Sequence, residues 1–191
     1  MGRHNGIPGP PGPPGPQGPP GPTGPPGPPG DNFSVCDCCV FPMQSILEQL
    51  VNQVVTISTD SDQPNMAPLL TDVTITSVND FLVTVEGESG TSVVSIADVL
   101  VVAFEPGTDI QLEPPVDFPG ECNCQERPLR ELFDALIGQT VAVRLQQNFV
   151  SEDFTVLATG LGIVFGQQTI FGEFVESAIS LCKITLINPP Q

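Results

Sequence analysis

Residues 6–30 read GIPGPPGPPGPQGPPGPTGPPGPPG, with glycine at every third place and proline in most of the positions between. No other feature of the chain constrains its folding so tightly. Proline presets the polyproline II backbone, and glycine at each third place is what an axis shared by three such chains can accommodate. A broken period would fit a disordered linker, whereas nine glycines in unbroken phase fit a wound rod.

The expected fold is therefore an N-terminal collagen triple helix, a homotrimer with Gly6, Gly9, Gly12, Gly15, Gly18, Gly21, Gly24, Gly27 and Gly30 at its axis. At a rise near 3 Å per residue the rod would be roughly 75–80 Å long. So few triplets nucleate poorly, because three chains must meet before any contact offsets the ordering entropy. A trimerising head after residue 30 follows from that. The expected organisation is a lead-in at 1–5, the stalk at 6–30, a junction at 31–35, a β module at 36–104, a linker at 105–121, a second β module at 122–188 and a tail at 189–191.

The two modules are inferred from a duplication. CDCCVFPMQSILEQLVNQVVTI (36–57) aligns without a gap on CNCQERPLRELFDALIGQTVAV (122–143), matching Cys36 with Cys122, Cys38 with Cys124, Pro42 with Pro128, Leu50 with Leu136, Gln53 with Gln139 and Val55 with Val141. Such repeats mark duplicated units. In each copy a proline suited to a first helical turn precedes apolar residues at helical spacing. These are Met43, Ile46, Leu47, Leu50 and Val51, then Leu129, Leu132, Phe133, Leu136 and Ile137. Afterwards the period changes to two and β-branched residues dominate, as in VVTIST, LLTDVTITSV, FLVTVEG and SVVSIADVLVVAF, then TVAVRLQ, FTVLATGLGIVFG, TIFGEFV and AISLCKITLI. Two mainly-β modules are expected, each a short helix plus a small curled β-sheet or barrel.

A helix leading through LVNQVVTI or LIGQTVAV into short strands resembles the Sm-like branch of SH3-type barrels. That resemblance implies rings built by pairing edge strands between neighbours. Three chains would supply six such units, a pseudo-sixfold ring. It carries no Sm RNA-binding signature with it.

Six cysteines frame the head. Cys36, Cys38 and Cys39 follow closely on the last stalk glycine, and a bridge between adjacent cysteines is strained. They are candidates for an interchain disulfide knot, with Cys122 and Cys124 pairing either with that cluster or with a neighbouring trimer. Cys182, in LCKITLI, reads as a buried apolar thiol. The spacings C-x-C-C and C-x-C do not fit zinc pairs, and the single histidine, His4, lies in the lead-in. Neither a metal nor another cofactor is expected.

Charge narrows the partners. Twenty-two acidic residues against five basic ones give a net charge of −17, which repels phosphate backbones and anionic membranes. Nucleic acid is not an expected partner, and no apolar run is long enough for membrane insertion. Eleven phenylalanines without Trp or Tyr read as core. The acidic residues fall in turns and linkers, and GLGIVFG lacks the Lys and Ser/Thr of a phosphate loop, so no enzyme is expected. The start, MGRHNG, has no apolar h-region, so synthesis without a secretory signal is expected.

Stalk, cysteines and head together resemble bacterial collagen-like surface proteins of the exosporium and spore surface. The resemblance implies an extracellular location, contacts with other spore-coat or surface proteins, and Thr23, in the Y position of a G-P-T triplet, as a glycosylation point. A rod and a ring with a central hole are complementary, heterologous surfaces, which propagate into filaments. The expected function is thus a self-assembling trimeric structural protein of a surface fibre, stacked head to tail and locked by disulfides. The alternative is a surface nap or adhesin whose head binds a ligand or receptor.

Overall fold

The computed structural model describes Ser34 and residues 36–60, 69–117, 120–146 and 149–188. The expected triple helix, its nine glycines and Thr23 lie outside the described residues.

The first half opens with a π-helical turn, Cys36–Val40, that runs into α1 (Phe41–Gln49). Pro42 sits in the first turn of α1, where its missing N–H costs no hydrogen bond. Met43, Ile46, Leu47 and Leu50 are fully buried, so the apolar stripe read from the sequence is the face that packs. Asn52, at φ 68°, then turns the chain into β1 (Val54–Thr59). There follow β2 (Leu69–Asn79), β3 (Leu82–Gly87), β4 (Gly90–Ser95), a 3-10 turn at Ile96–Asp98 and β5 (Val99–Phe104).

The second half repeats the plan: α2 (Glu121–Gln125), α3 (Arg127–Asp134), β6 (Thr140–Leu145), β7 (Val150–Gly160), β8 (Ile163–Ile170), β9 (Glu173–Ser180), a 3-10 turn at Leu181–Lys183 and β10 (Ile184–Asn188). Gly138, at φ 81°, stands where the first half has Asn52, and both types tolerate the left-handed backbone that ends a helix. The hydrogen bonds there coincide. Asn52 N–H donates to the Ile75 carbonyl and Gly138 N–H to that of Val156, while Ile75 and Val156 N–H donate to Gln53 and Gln139.

The expectation of two separate modules is corrected. The ten strands among the described residues form one antiparallel sheet in the order β10-β6-β7-β8-β9-β5-β1-β2-β3-β4. The reason lies in β5. VLVVAF is buried at all six positions, and a strand so apolar needs a neighbour on both sides and cover on both faces. It takes β1 on one side and β9 of the other half on the other, in the register Val101 to Ile179, Val102 to Ala178, Ala103 to Ser177 and Phe104 to Glu176. Its residues divide between two cores. Val99, Val102 and Phe104 pack with α1 and β1–β3, while Leu100 and Val101 pack with Phe133, Phe154 and β6–β8.

Register shifts bend the strands at matching places, between Val55 and Ile57 in β1 and Val141 and Val143 in β6, and between Ile75 and Ser77 in β2 and Val156 and Ala158 in β7. On this sheet α1 packs against β2 and β9, and α3 against β7 and β8.

Candidate functional site

The site that the fold assembles from the singled-out residues is a cysteine junction between the halves. Within the π-helical turn, adjacent Cys38 and Cys39 reach different partners. Cys38 is bridged to Cys122 of α2, with their Cα atoms 5.9 Å apart, and Cys39 to Cys182 of the second 3-10 turn, at 5.7 Å. The interchain role read for Cys38 and Cys39 is therefore corrected, and of the two pairings open to Cys122 the one with the first cluster is found, made within one chain by the continuous sheet. Cys182 is corrected too, from a buried thiol to a bridge partner. Matching bonds, Ile96 N–H to the Phe81 carbonyl and Leu181 N–H to that of Gly162, put Ala97 at the equivalent place in the first half, so this cysteine belongs to one copy alone.

Around the bridges the packing is tight. Cys38, Cys39, Cys122 and Leu161 form a small buried cluster with Val40 and Cys182 against it. Gly162, at φ 66°, turns β7 into β8 directly over the Cys38 carbonyl, and a Cβ there would overlap that oxygen. The sulfurs of Cys38, Cys39 and Cys182 lie within 4.8 Å of one another, a grouping that thiolates would offer to a soft metal ion. As disulfide sulfurs they have no thiolate to give.

Below the bridges lies a charged network that sequence reading missed. Glu126 and Arg130 are both buried; Arg130 Nε donates to Glu126 Oε1 at 2.8 Å and Nη2 to Asp117 Oδ1 at 2.9 Å. Gly162 N–H donates to the same Glu126 oxygen at 3.2 Å. Burial pulls the Arg130 pKa down, but the bonds and charges of Glu126 and Asp117 outweigh this and leave it above its ordinary value. The available signal was the i,i+4 spacing of opposite charges on the helix. Lys183 adds a tie across the seam, its Nζ 3.4 Å from Asp60 Oδ2 at the end of β1.

Two of the predicted cysteines remain thiols. Cys36 and Cys124 are free and exposed. Among the described residues, β4 and β10 each have a strand neighbour on one side only. Exposed apolar side chains accompany these edges, Val93 at 61% on β4 and Leu186 at 45% on β10. No helix among the described residues is long and apolar enough to cross a membrane.

What this arrangement offers is covalent joining and strand addition. Comparison of the chain with protein-family models, with curated proteins and with solved structures finds no match.

Proposed function

We propose that the chain is a structural, self-assembling, collagen-like protein of a bacterial spore- or cell-surface fibre, its copies associating as trimers that stack and are secured by disulfides. The observation that carries this reading is where the bridges sit. The Gly-X-Y repeat ends at Gly30, and the first bridged cysteines after it are Cys38 and Cys39, joined to Cys122 and Cys182 of the other half. A pull entering through residues 31–36 is thus delivered covalently to both halves of the sheet before any strand is loaded. Such reinforcement suits a part that carries tension. Disulfides persist in oxidising surroundings, which supports a place outside the reducing cytosol.

The test is negative-stain electron microscopy of the purified full chain, with oxidised and reduced samples compared on a non-reducing gel. Regular fibres or trimer-based strings that resist SDS only when oxidised are expected. Particles that stay single copies at high concentration after oxidation overturn the reading.

A second reading, a surface nap or adhesin whose head binds a ligand or receptor, is favoured by one observation. The turn between β8 and β9 exposes Phe171 at 79% and the start of β9 exposes Phe174 at 57%, an aromatic pair open to a partner. Discrete lollipop-shaped trimers in the same micrographs would favour it, and loss of surface binding in Phe171→Ser would assign the contact.

A further inference from the structure

The molecule contains one joint between its halves and, at its two ends, the unmatched pieces of another. Residues correspond between the halves through shared hydrogen bonds. Ile96 N–H donates to the Phe81 carbonyl as Leu181 N–H does to Gly162, and Leu82 pairs with Ser95 as Ile163 does with Ser180. Thus β4 corresponds to β9 and β5 to β10. In the joint, β5 lies beside β9; left over are β10 and β4, the outer edges of the sheet.

Burial follows the same logic. Ile163 and Ala178 of the second half, both buried, pack into the core of the first. Their counterparts Leu82 and Val93 are 46% and 61% exposed. Ile46 and Val101 are each 1% exposed, and their counterparts Leu132 and Leu186 are each 45% exposed. Residues that the joint covers inside the chain have equivalents lying open at its ends.

The cysteines give an independent account of the same neighbour. Cys36 corresponds to Cys122 and Cys38 to Cys124, and the intrachain bridge joins the second position of the first half to the first position of the second half. Left over are Cys36 and Cys124, the two free and exposed thiols. Repeating the step that relates the halves would carry Cys124 to Cys36 of another copy.

We infer that a second copy of this chain adds its β4 edge to β10 of the first, and that Cys124 of the first bonds Cys36 of the second. This rests on the proposed function only in taking copies of the chain as one another's partners. Transferring the register of the internal joint pairs Leu186 with Val94, Ile187 with Val93 and Asn188 with Ser92 of the incoming copy. Bond formation converts two S–H groups into one S–S and passes their two electrons and two protons to a small-molecule disulfide, whose S–S bond breaks and which leaves as two thiols. The interface is heterologous, so repetition closes a ring or extends a fibre. It is not an exact replica, because Phe81 stands where the internal joint has Gly162, and Gln125 and Ala97 stand where it has the bridged Cys39 and Cys182. It also satisfies two sheet edges that would otherwise invite indiscriminate pairing.

The experiment uses full-length Cys36→Ser and Cys124→Ser chains, one of them isotopically heavy, in a glutathione redox buffer containing oxidised glutathione. Each alone should stay monomeric on a non-reducing gel, their mixture should give a covalent dimer and nothing larger, and the wild-type chain should give a ladder or a single closed species. Peptide mapping of the mixed dimer should find Cys124 of the Cys36→Ser chain bonded to Cys36 of the Cys124→Ser chain. Val93→Asp, at an exposed edge, should leave each copy folded by circular dichroism and abolish the dimer. Dimers from Cys124→Ser alone, or no dimer from folded mixed chains, overturn the inference. Fibres without the Cys36–Cys124 link would refute this inference and leave the fibre reading standing; the mixed dimer with wild-type closed rings and no fibres would do the reverse.

Discussion

The helix of the first half is covered along its apolar face, and that of the second half is partly open. Both halves share strand order, bends and helix-end turn, yet the first buries Met43, Ile46, Leu47 and Leu50 and partly covers Val51, while the second buries Phe133 and Leu136 and leaves Leu132 and Ile137 at 45% and 50% exposure. The difference is one of cover. The core of the first half borrows Ile163 and Ala178 from the second, together with Ile110 and Leu112 of the connecting segment. Only Leu100 and Val101 of the first half enter the core of the second. Identical spacing of apolar residues therefore yields a buried face or an open one depending on what the chain brings next to it.

Four measurements would break or sharpen that contrast. The largest effect is expected at a feature only the second half has: Arg130→Ala leaves Glu126 buried without its partner and should lower the unfolding free energy by roughly 3–5 kcal/mol. Since the Arg130 pKa is raised, its contribution is complete below the ordinary arginine range and is lost only as pH rises through the folded value. The cost in denaturant melts should accordingly be the same at neutral and mildly alkaline pH. A cost that fell away in that window would mean the guanidinium is not held as described.

Next comes the paired truncation of equivalent residues. Ile46→Ala should cost about 2–4 kcal/mol because a cavity opens, whereas Leu132→Ala should stay within about 0.5 kcal/mol in a dilute single chain. Similar losses at both positions would show that the halves are covered alike. In oxidised, concentrated protein, Leu132→Ala should instead reduce association, read by analytical ultracentrifugation.

Smaller effects belong to the helix ends. Gly138→Ala places a Cβ on a left-handed residue and should cost about 1–2 kcal/mol, while Asn52→Gly should change stability by a few tenths of a kcal/mol only. Gly162→Ala differs from both, since its Cβ would meet the Cys38 backbone; a delayed or incomplete Cys38–Cys122 bridge, scored by mass after limited oxidation, is the expected outcome.

The sequence already contained much of this. Gap-free alignment of 36–57 with 122–143 located both helices, and Pro42 and Pro128 fall in their first turns. The alternating runs marked most strands. What stayed hidden were breaks inside apolar stretches. FTVLATGLGIVFG reads as one run but turns at Leu161-Gly162 between β7 and β8, and TIFGEFV turns at Phe171-Gly172 between β8 and β9. A two-residue turn needs only a glycine, too weak a mark among β-branched neighbours. The sheet's continuity was hidden for another reason, because VLVVAF says it is buried without saying which strand lies beside it. Cysteine pairing failed similarly. Adjacent Cys38 and Cys39 excluded each other, but nothing local distinguishes a partner in another chain from one far along the same chain.

The two bridges have a further consequence, for cleavage. Cys39–Cys182 closes nearly the whole head into a covalent loop, and Cys38–Cys122 crosses it from beside the same starting point. A protease that cuts once between residues 39 and 182 releases nothing. Two cuts, one on each side of Cys122, still leave three fragments tied together, the middle one by Cys122 and the last by Cys182. A head of this kind can be nicked and remain in place, its fragments separating only once a reductant follows the protease.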